Sequence, residues 1–255
     1  MIETSVAPAR AWQTVLEHVE SRLLAGELAP GDHLPGERAL SAELGVGRSS
    51  VREAFRVLEA MGLIRTAAGS GPTAGAIIIA TPGGAMSALM RLQVAARGFP
   101  VADIVRTRLV LEAEVAADLA AAAPRPDLAD AHALLDAMED TSLSAGEFLA
   151  LDAQFHLALA EASGNQVITA TMAGLRSGIE SYALDGLDRL ADWAATSARL
   201  RLEHRGVLAA ITAADAPLAR ARIREHIAGY YAETLPATHG PTEPTLHTST
   251  DGRID

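Results

Sequence analysis

The chain has 255 residues, 49% of them hydrophobic and 4% aromatic, with a formal net charge of −11 and no cysteine. That length accommodates one large domain or two ordinary ones, and the hydrophobic share excludes wholesale disorder. The lack of cysteine excludes a disulfide framework, a thiolate zinc site and a thiol nucleophile, and the charge excludes binding to nucleic acid through bulk attraction.

All 21 basic residues are arginine. Residues 1–80 carry 7 of them against 9 acids, and residues 81–255 carry 14 against 23. Any contact with DNA must therefore come from a local cluster. The longest apolar runs, such as 76–80 and 119–123, fall far short of a bilayer span. The opening MIETSVAPARAW lacks the basic start and apolar stretch of a secretory signal, so a soluble, cytoplasmic protein with no membrane partner is expected.

In chain order, Trp12, Val15, Leu16, Val19 and Leu23 recur at helical spacing until Gly26 stops the run. Pro30-Gly31 and Pro35-Gly36 mark a turn region. A short helix over 37–44 ends at Gly45, and a second begins near Arg48 and runs to Met61, with Gly62 as its stop. Residues 63–66 and 76–80 are apolar enough for strands, and the turn-rich AAGSGPTAG between them makes the pair a β-hairpin. From Pro82 the pattern is helical, with breaks at 98–100, 124–126, 144–146, 164–165, about Gly186, and 214–215. These breaks separate about seven amphipathic helices. The last ends near Leu235, and the polar stretch 236–255 is expected to be disordered. The fold class is mainly α. The expected division is residues 1–80 as a helix-turn-helix unit with a hairpin wing, 81–235 as an all-helical bundle, and 236–255 as a tail.

The segment LPGERALSAELGVGRSSVREAFRVLEAMGLI joins two short helices through the tight turn Gly45-Val46-Gly47. Val51, Ala54, Phe55 and Leu58 share one face of the second helix as its core stripe. Arg48, Arg52 and Arg56 share another, and Ser49 and Ser50 lie in the first turn. In the major groove, such a helix presents N-terminal side chains to base edges while its first amides and hydroxyls hold phosphate. Arginine can take guanine O6 and N7 with two hydrogen bonds. Read by charge alone, the same arginines are a solvated face diluted by Glu53 and Glu59.

This stretch resembles the winged helix of the GntR superfamily of bacterial transcription regulators, through the approach AGELAPGDHLPGERAL, the turn and helix GVGRSSVREAFRVLEAMGLI, and the glycine-containing wing. The resemblance implies operator contacts from Arg38, Arg48 and Arg52, with Ser49 and Ser50 beside them. It also implies that Gly69 and Gly71 form the wing tip in the minor groove. Two departures stand out. Gly47 replaces the usual Ser or Thr, removing a helix cap, and the wing tip GSGPT lacks a basic residue, for which Arg65 is a substitute.

In the helical half, four polar residues interrupt apolar stripes. Asp152 and His156, four apart, share a helix face with Leu149 and Leu159. His204 lies among Leu200, Val207, Leu208 and Ile211, and His226 among Ile223, Ile227 and Tyr230. Burying a carboxylate and three imidazoles is costly unless they satisfy one another. A divalent transition metal such as zinc or nickel would do so, with ligands drawn from three helices of a bundle. The alternative is that each is a hydrogen-bonded core residue. His18, His33, His132, His239 and His247 show no such pattern. Arg108 shares a stripe with Ile104, Leu111 and Val115, so it points inward. It is either a carboxylate anchor beside the cation or half of an i, i+4 pair with Glu112.

The segments VRTRLVLEAEVAADLA, LDAQFHLALAEASGN and EHRGVLAAITAADAPLARARIREHI resemble the effector domain of the FadR branch of GntR regulators. That resemblance implies metal ligation by Asp152, His156, His204 and His226, with Arg108 and Glu112 forming its R-x3-E pattern. It implies a ligand-responsive transcription regulator, mostly a repressor in this family. A homodimer reading a palindromic double-stranded operator and binding a small carboxylate effector is then expected. Two other readings of the same residues are a metal-activated hydrolase and a pure metal sensor. No G-x-S-x-G elbow or phosphate loop supports enzymatic chemistry of those kinds.

Overall fold

The computed structural model describes residues 11–67 and 75–234. Three helices open the chain, α1 (Ala11–Leu24), α2 (Glu37–Leu44) and α3 (Arg48–Ala60), followed by strands β1 (Ile64–Ala67) and β2 (Gly75–Ile78). Seven α-helices follow among the described residues: α4 (Pro82–Ala95), α5 (Val101–Ala121), α6 (Ala129–Met138), α7 (Ala145–Ala162), α8 (Gln166–Asp185), α9 (Trp193–Thr212) and α10 (Ala216–Thr234). A 3-10 turn at Leu187–Arg189 lies between α8 and α9. The architecture is mainly α, as the periodicity predicts. The stretch 236–255 and the wing tip with Gly69 and Gly71 lie outside the described residues.

The N-terminal helices close on Val15, Val19, Leu40, Val51, Ala54, Phe55 and Leu58, joined by Ile64, Ala76 and Ile78 of the hairpin. The turn between α2 and α3 is set by Gly45, whose φ of +65° lies in the left-handed region that a side chain disfavours. Ser41 Oγ donates to the Val46 carbonyl at 2.6 Å and ties the turn down. Gly47 caps α3 without a side-chain hydrogen bond, the loss expected from glycine at that position.

Strands β1 and β2 pair antiparallel, Ile64 opposite Ile78 and Arg65 opposite Ile77. Both strands are displaced by about one residue from the expected 63–66 and 76–80. Leu63 is held outside the ladder, where its carbonyl accepts from the Ile79 amide at 2.9 Å. The Glu59 carboxylate at the end of α3 accepts from both the Thr66 amide (2.8 Å) and hydroxyl (2.7 Å), locking the wing to the helix. One pairing was not expected. Residues 31–34, read as a turn, run along β2. Gly31 and Leu34 donate to the Ile78 and Ala76 carbonyls, and Ile78 donates to Asp32.

The helical half buries a second set of apolar side chains, including Phe148, Phe155, Leu200, Val207, Ile211, Ile223 and Ile227. Helix α10 packs along α5 and α9, α7 lies against α6 and α8, and α4 lies on α8. Local signals fix the helix starts. Ser144 and Glu147 form a reciprocal capping box on α7, Asn165 caps α8, and Asp192 caps α9. Helix α4 approaches α8 at two glycines. A Cβ on Gly178 would sit 2.3 Å from Val94 Cγ1, and one on Gly174 would sit 2.4 Å from Met90 Cβ. No described helix is long and apolar enough to cross a membrane.

Candidate metal centre and nucleic-acid interface

The four polar residues that broke the apolar stripes converge. Asp152 and His156 come from adjacent turns of α7, His204 from the middle of α9 and His226 from α10, and all four are buried. One donor atom from each lies within 4.8 Å of the others. The Nε2 atom of His226 is 3.1 Å from that of His156 and 3.2 Å from that of His204. Asp152 Oδ1 is 3.1 Å from His204 Nε2. Phe155, fully buried on α7, lies against the His204 ring with centroids 4.6 Å apart.

The far side of each ring decides what those contacts mean. Glu112 Oε2 lies 2.5 Å from His156 Nδ1, and Glu203 Oε2 lies 2.8 Å from His226 Nδ1. A carboxylate against Nδ1 draws the proton to that nitrogen and leaves Nε2 as a lone pair. In that tautomer the two Nε2 lone pairs stand 3.1 Å apart in a buried pocket and repel, which a cation between them relieves; in the other tautomer one Nε2 donates to the other. Ligand nitrogens about 2.0–2.1 Å from a zinc-like ion stand about 3.0–3.4 Å apart. The contacts of His226 with His156 and His204 and of Asp152 with His204 fall in that range, while Asp152 lies 3.8 Å from His156 and 4.0 Å from His226. The donor set of three imidazoles and a carboxylate suits a divalent transition metal. The chain therefore contains a buried Asp/His cluster able to hold a metal.

Protonation agrees with that fit. Burial pushes Asp152 up, but the hydrogen bond to His204 and the nearby imidazoles outweigh it and hold the carboxyl well below its usual range. Burial pushes His226 down to about 4, helped by the neighbouring His204 ring. Burial also lowers His204, against the opposing pull of Asp152. Glu112 is lowered to about 2, because Arg108 and His156 overcome its desolvation. Near neutrality this leaves ionised carboxylates and neutral His204 and His226, the forms that ligate metal.

Arg108 points inward, as its stripe predicts. Its Nε donates to Glu112 Oε1 at 2.5 Å and its NH1 to the Tyr231 hydroxyl at 3.2 Å, with NH2 at 3.5 Å from Glu112 Oε2. The i, i+4 pair with Glu112 is thus real. A guanidinium has five N–H donors, so this contact set leaves donor capacity over. The sequence reading missed the second role of Glu112, because His156 is 44 positions away on another helix. It also missed Glu203, whose only local signal is its place next to His204.

At the other end of the chain, Arg38, Arg48, Ser49 and Arg52 are exposed and Ser50 is half-buried. Arg48, Arg52 and Arg56 emerge on an exposed face of α3, apart from the buried Val51, Ala54, Phe55 and Leu58. Arg52 is paired with Glu37 on α2, its Nε and NH2 donating at 3.2 and 2.8 Å. An exposed pair of this kind is weak, so phosphate or a base can displace Glu37.

Comparison with known proteins agrees with both halves. Residues 12–73 match the family described as bacterial regulatory proteins, gntR family, and residues 103–229 match the FCD domain. The transcriptional regulator LutR of Bacillus subtilis is 29% identical over 82% of this chain and 98% of its own length. The Glc operon transcriptional activator of Escherichia coli is 31% identical over 64% of this chain and 65% of its own. The solved structure of a GntR protein from Streptococcus agalactiae superposes with a TM-score of 0.54 at 25% identity, covering 86% of this chain and 97% of that one. These relatives are regulators and not enzymes, and the family binds DNA through the winged helix and small-molecule effectors through the FCD domain. The chain belongs to the GntR family of DNA-binding transcription regulators, in the branch whose C-terminal half is a FadR-type FCD domain.

Proposed function

We propose that the chain is a cytoplasmic repressor that leaves its operator when a small carboxylate binds beside a metal in the helical domain. The observation that carries this reading is the juxtaposition of a buried Asp152/His156/His204/His226 cluster with an inward arginine, on the same chain as an exposed arginine-bearing helix. Residues 1–80 form the reading head and 81–235 the effector domain. In the reading head Arg48, Arg52, Ser49 and Ser50 meet the major groove and Arg38 the flanking phosphates, while Gly69 and Gly71 bring the wing tip to the minor groove. A homodimer presents two heads to a palindrome, because one module grips too little DNA for useful specificity.

Asp152, His156, His204 and His226 hold the cation, zinc or nickel by their donor chemistry. When bound, it supplies a Lewis-acidic contact for one carboxylate oxygen. Arg108 contributes the remaining N–H donors to the same carboxylate, and the apolar walls exclude water from the pair. Repression is the direction that the family resemblance implies, while the Glc operon relative is named an activator. A coupling of about 1–3 kcal/mol between effector and operator sites is enough for a physiological response.

The test is operator selection from random duplex DNA by the zinc-loaded protein, followed by titration of the selected duplex with mono-, di- and hydroxy-carboxylates. An inverted repeat is expected, with one class of acid that weakens binding about 5–150-fold. Selection of a non-repeated site would refute the dimeric reading. Tightening by the acid would reverse the direction. Operator release by metal alone, with no acid active, would make the cation the signal.

A further inference from the structure

The histidine cluster is backed by the same construction twice. On α5, Arg108 and Glu112 form an i, i+4 pair. Oε1 accepts from Arg108 Nε at 2.5 Å, while Oε2 accepts from Arg108 NH2 at 3.5 Å and lies at ion-pair distance, 2.5 Å, from His156 Nδ1. On α9, Arg199 and Glu203 repeat the arrangement, with Oε1 accepting from Arg199 at 2.6 Å and Oε2 meeting His226 Nδ1 at 2.8 Å. In each case an arginine holds a glutamate, and the glutamate faces the back of an imidazole carried by another helix. His204 lacks such support: it meets Asp152 through Nε2, and no carboxylate pairs with its Nδ1 among the described residues. The Phe155 ring lies against it instead.

We propose that Glu112 and Glu203 are positioning residues for the metal, each fixing the Nδ1–H tautomer of one ligand histidine so that Nε2 faces the cation, with Arg108 and Arg199 acting through them. The inference rests on the reading of the cluster as a metal site. At both positions one carboxylate oxygen also lies within 2.8 Å of an imidazole Nδ1, a contact that the arginine pair alone does not require. The two relays differ in exposure. Arg108–Glu112 is buried, whereas Arg199 and Glu203 are about a third exposed. They line a cavity of about 450 Å³ together with Gly206, Arg222 and His226. The α9 relay can therefore be altered with least disturbance to the core.

The experiment measures Zn2+ affinity of the full chain by competition with a chromogenic chelator, and records the visible spectrum of the Co2+-loaded protein. Glu203→Ala is expected to weaken Zn2+ by about 10–100-fold and to shift the Co2+ bands, while the metal-free protein keeps its wild-type unfolding midpoint. Glu203→Gln, which keeps an acceptor but not the charge, should recover only part of the loss. Glu112→Gln strands Arg108 in the core and is made together with Arg108→Gln, with the same loss expected. Wild-type Zn2+ affinity and an unchanged Co2+ spectrum in Glu203→Ala would overturn the proposal. So would full recovery in Glu203→Gln, which would reduce the glutamate to a space-filler. His204→Ala separates the two levels. If it binds Zn2+ as tightly as wild type, the metal reading itself is wrong. If it loses Zn2+ while both glutamate variants keep theirs, only the relay is wrong.

Discussion

At the scale of single residues, the proposed reading of DNA rests most on Arg48. Arg48 opens α3 at the end where the helix presents its free amides, and it is exposed. Arg52, one turn later, is held by Glu37. The loss of Arg48 is therefore expected to fall on the operator. Arg48→Ala should lower operator affinity about 10–100-fold, as for a bidentate base contact worth about 1–3 kcal/mol. Affinity for unrelated duplex should fall far less. Fluorescence anisotropy with both duplexes measures the two, and an equal loss on both would assign Arg48 to the backbone. The buried Asp/His cluster was legible residue by residue, because an aspartate and three histidines within apolar stripes are costly to bury unless they satisfy one another. Glu112 was not, because its spacing from Arg108 already explained it locally. Only the crossing of α5 and α7 shows the His156 contact.

At the scale of elements, the helices were legible wherever a cap or a left-handed glycine ended them. Ser144, Asn165 and Asp192 mark starts, and Gly45 and Gly62 mark stops, with φ of +65° and +69°. The short pairing of residues 31–34 with β2 was not legible, since a segment between two Pro-Gly steps carries the composition of a turn. What orders it is the hydrogen-bonding edge of β2, supplied from 42 or more positions away. The contact of α4 with α8 was equally hidden. Gly174 and Gly178 look like weak points of a helix until Met90 and Val94 occupy the space where their side chains would be. The buried Ser87 hydroxyl, 2.9 Å from the Ala170 carbonyl, adds a polar tie between the same helices. Because α4 follows the hairpin directly, this contact is the proposed route from effector domain to reading head. Gly178→Leu should force α4 off α8, costing about 1–3 kcal/mol by overpacking. Zn2+ binding at α7, α9 and α10 should persist while the operator response to carboxylate is lost. A variant that still responds would remove α4 from the route.

At the scale of the whole molecule, charge and function are divided along the chain. Residues 81–255 carry most of the net negative charge, 14 Arg against 23 acids, while residues 1–80 are near balance with 7 against 9. The charge of the helical half thus disfavours DNA at long range, which leaves a local cluster such as the arginine face of α3 as the basis of the proposed contact.

The central claim is that the buried Asp/His cluster holds a metal and that a carboxylate binds beside it. Thermal unfolding of the zinc-loaded full chain against a panel of mono-, di- and hydroxy-carboxylates, with and without chelator, tests it most directly. One class of acid at about a hundred times its dissociation constant adds about 2.7 kcal/mol. For a domain of this size that raises the midpoint by about 5–10 °C. This shift should disappear with chelator and in His204→Ala. A shift that survives both, or no shift with any acid while zinc remains bound, would contradict it.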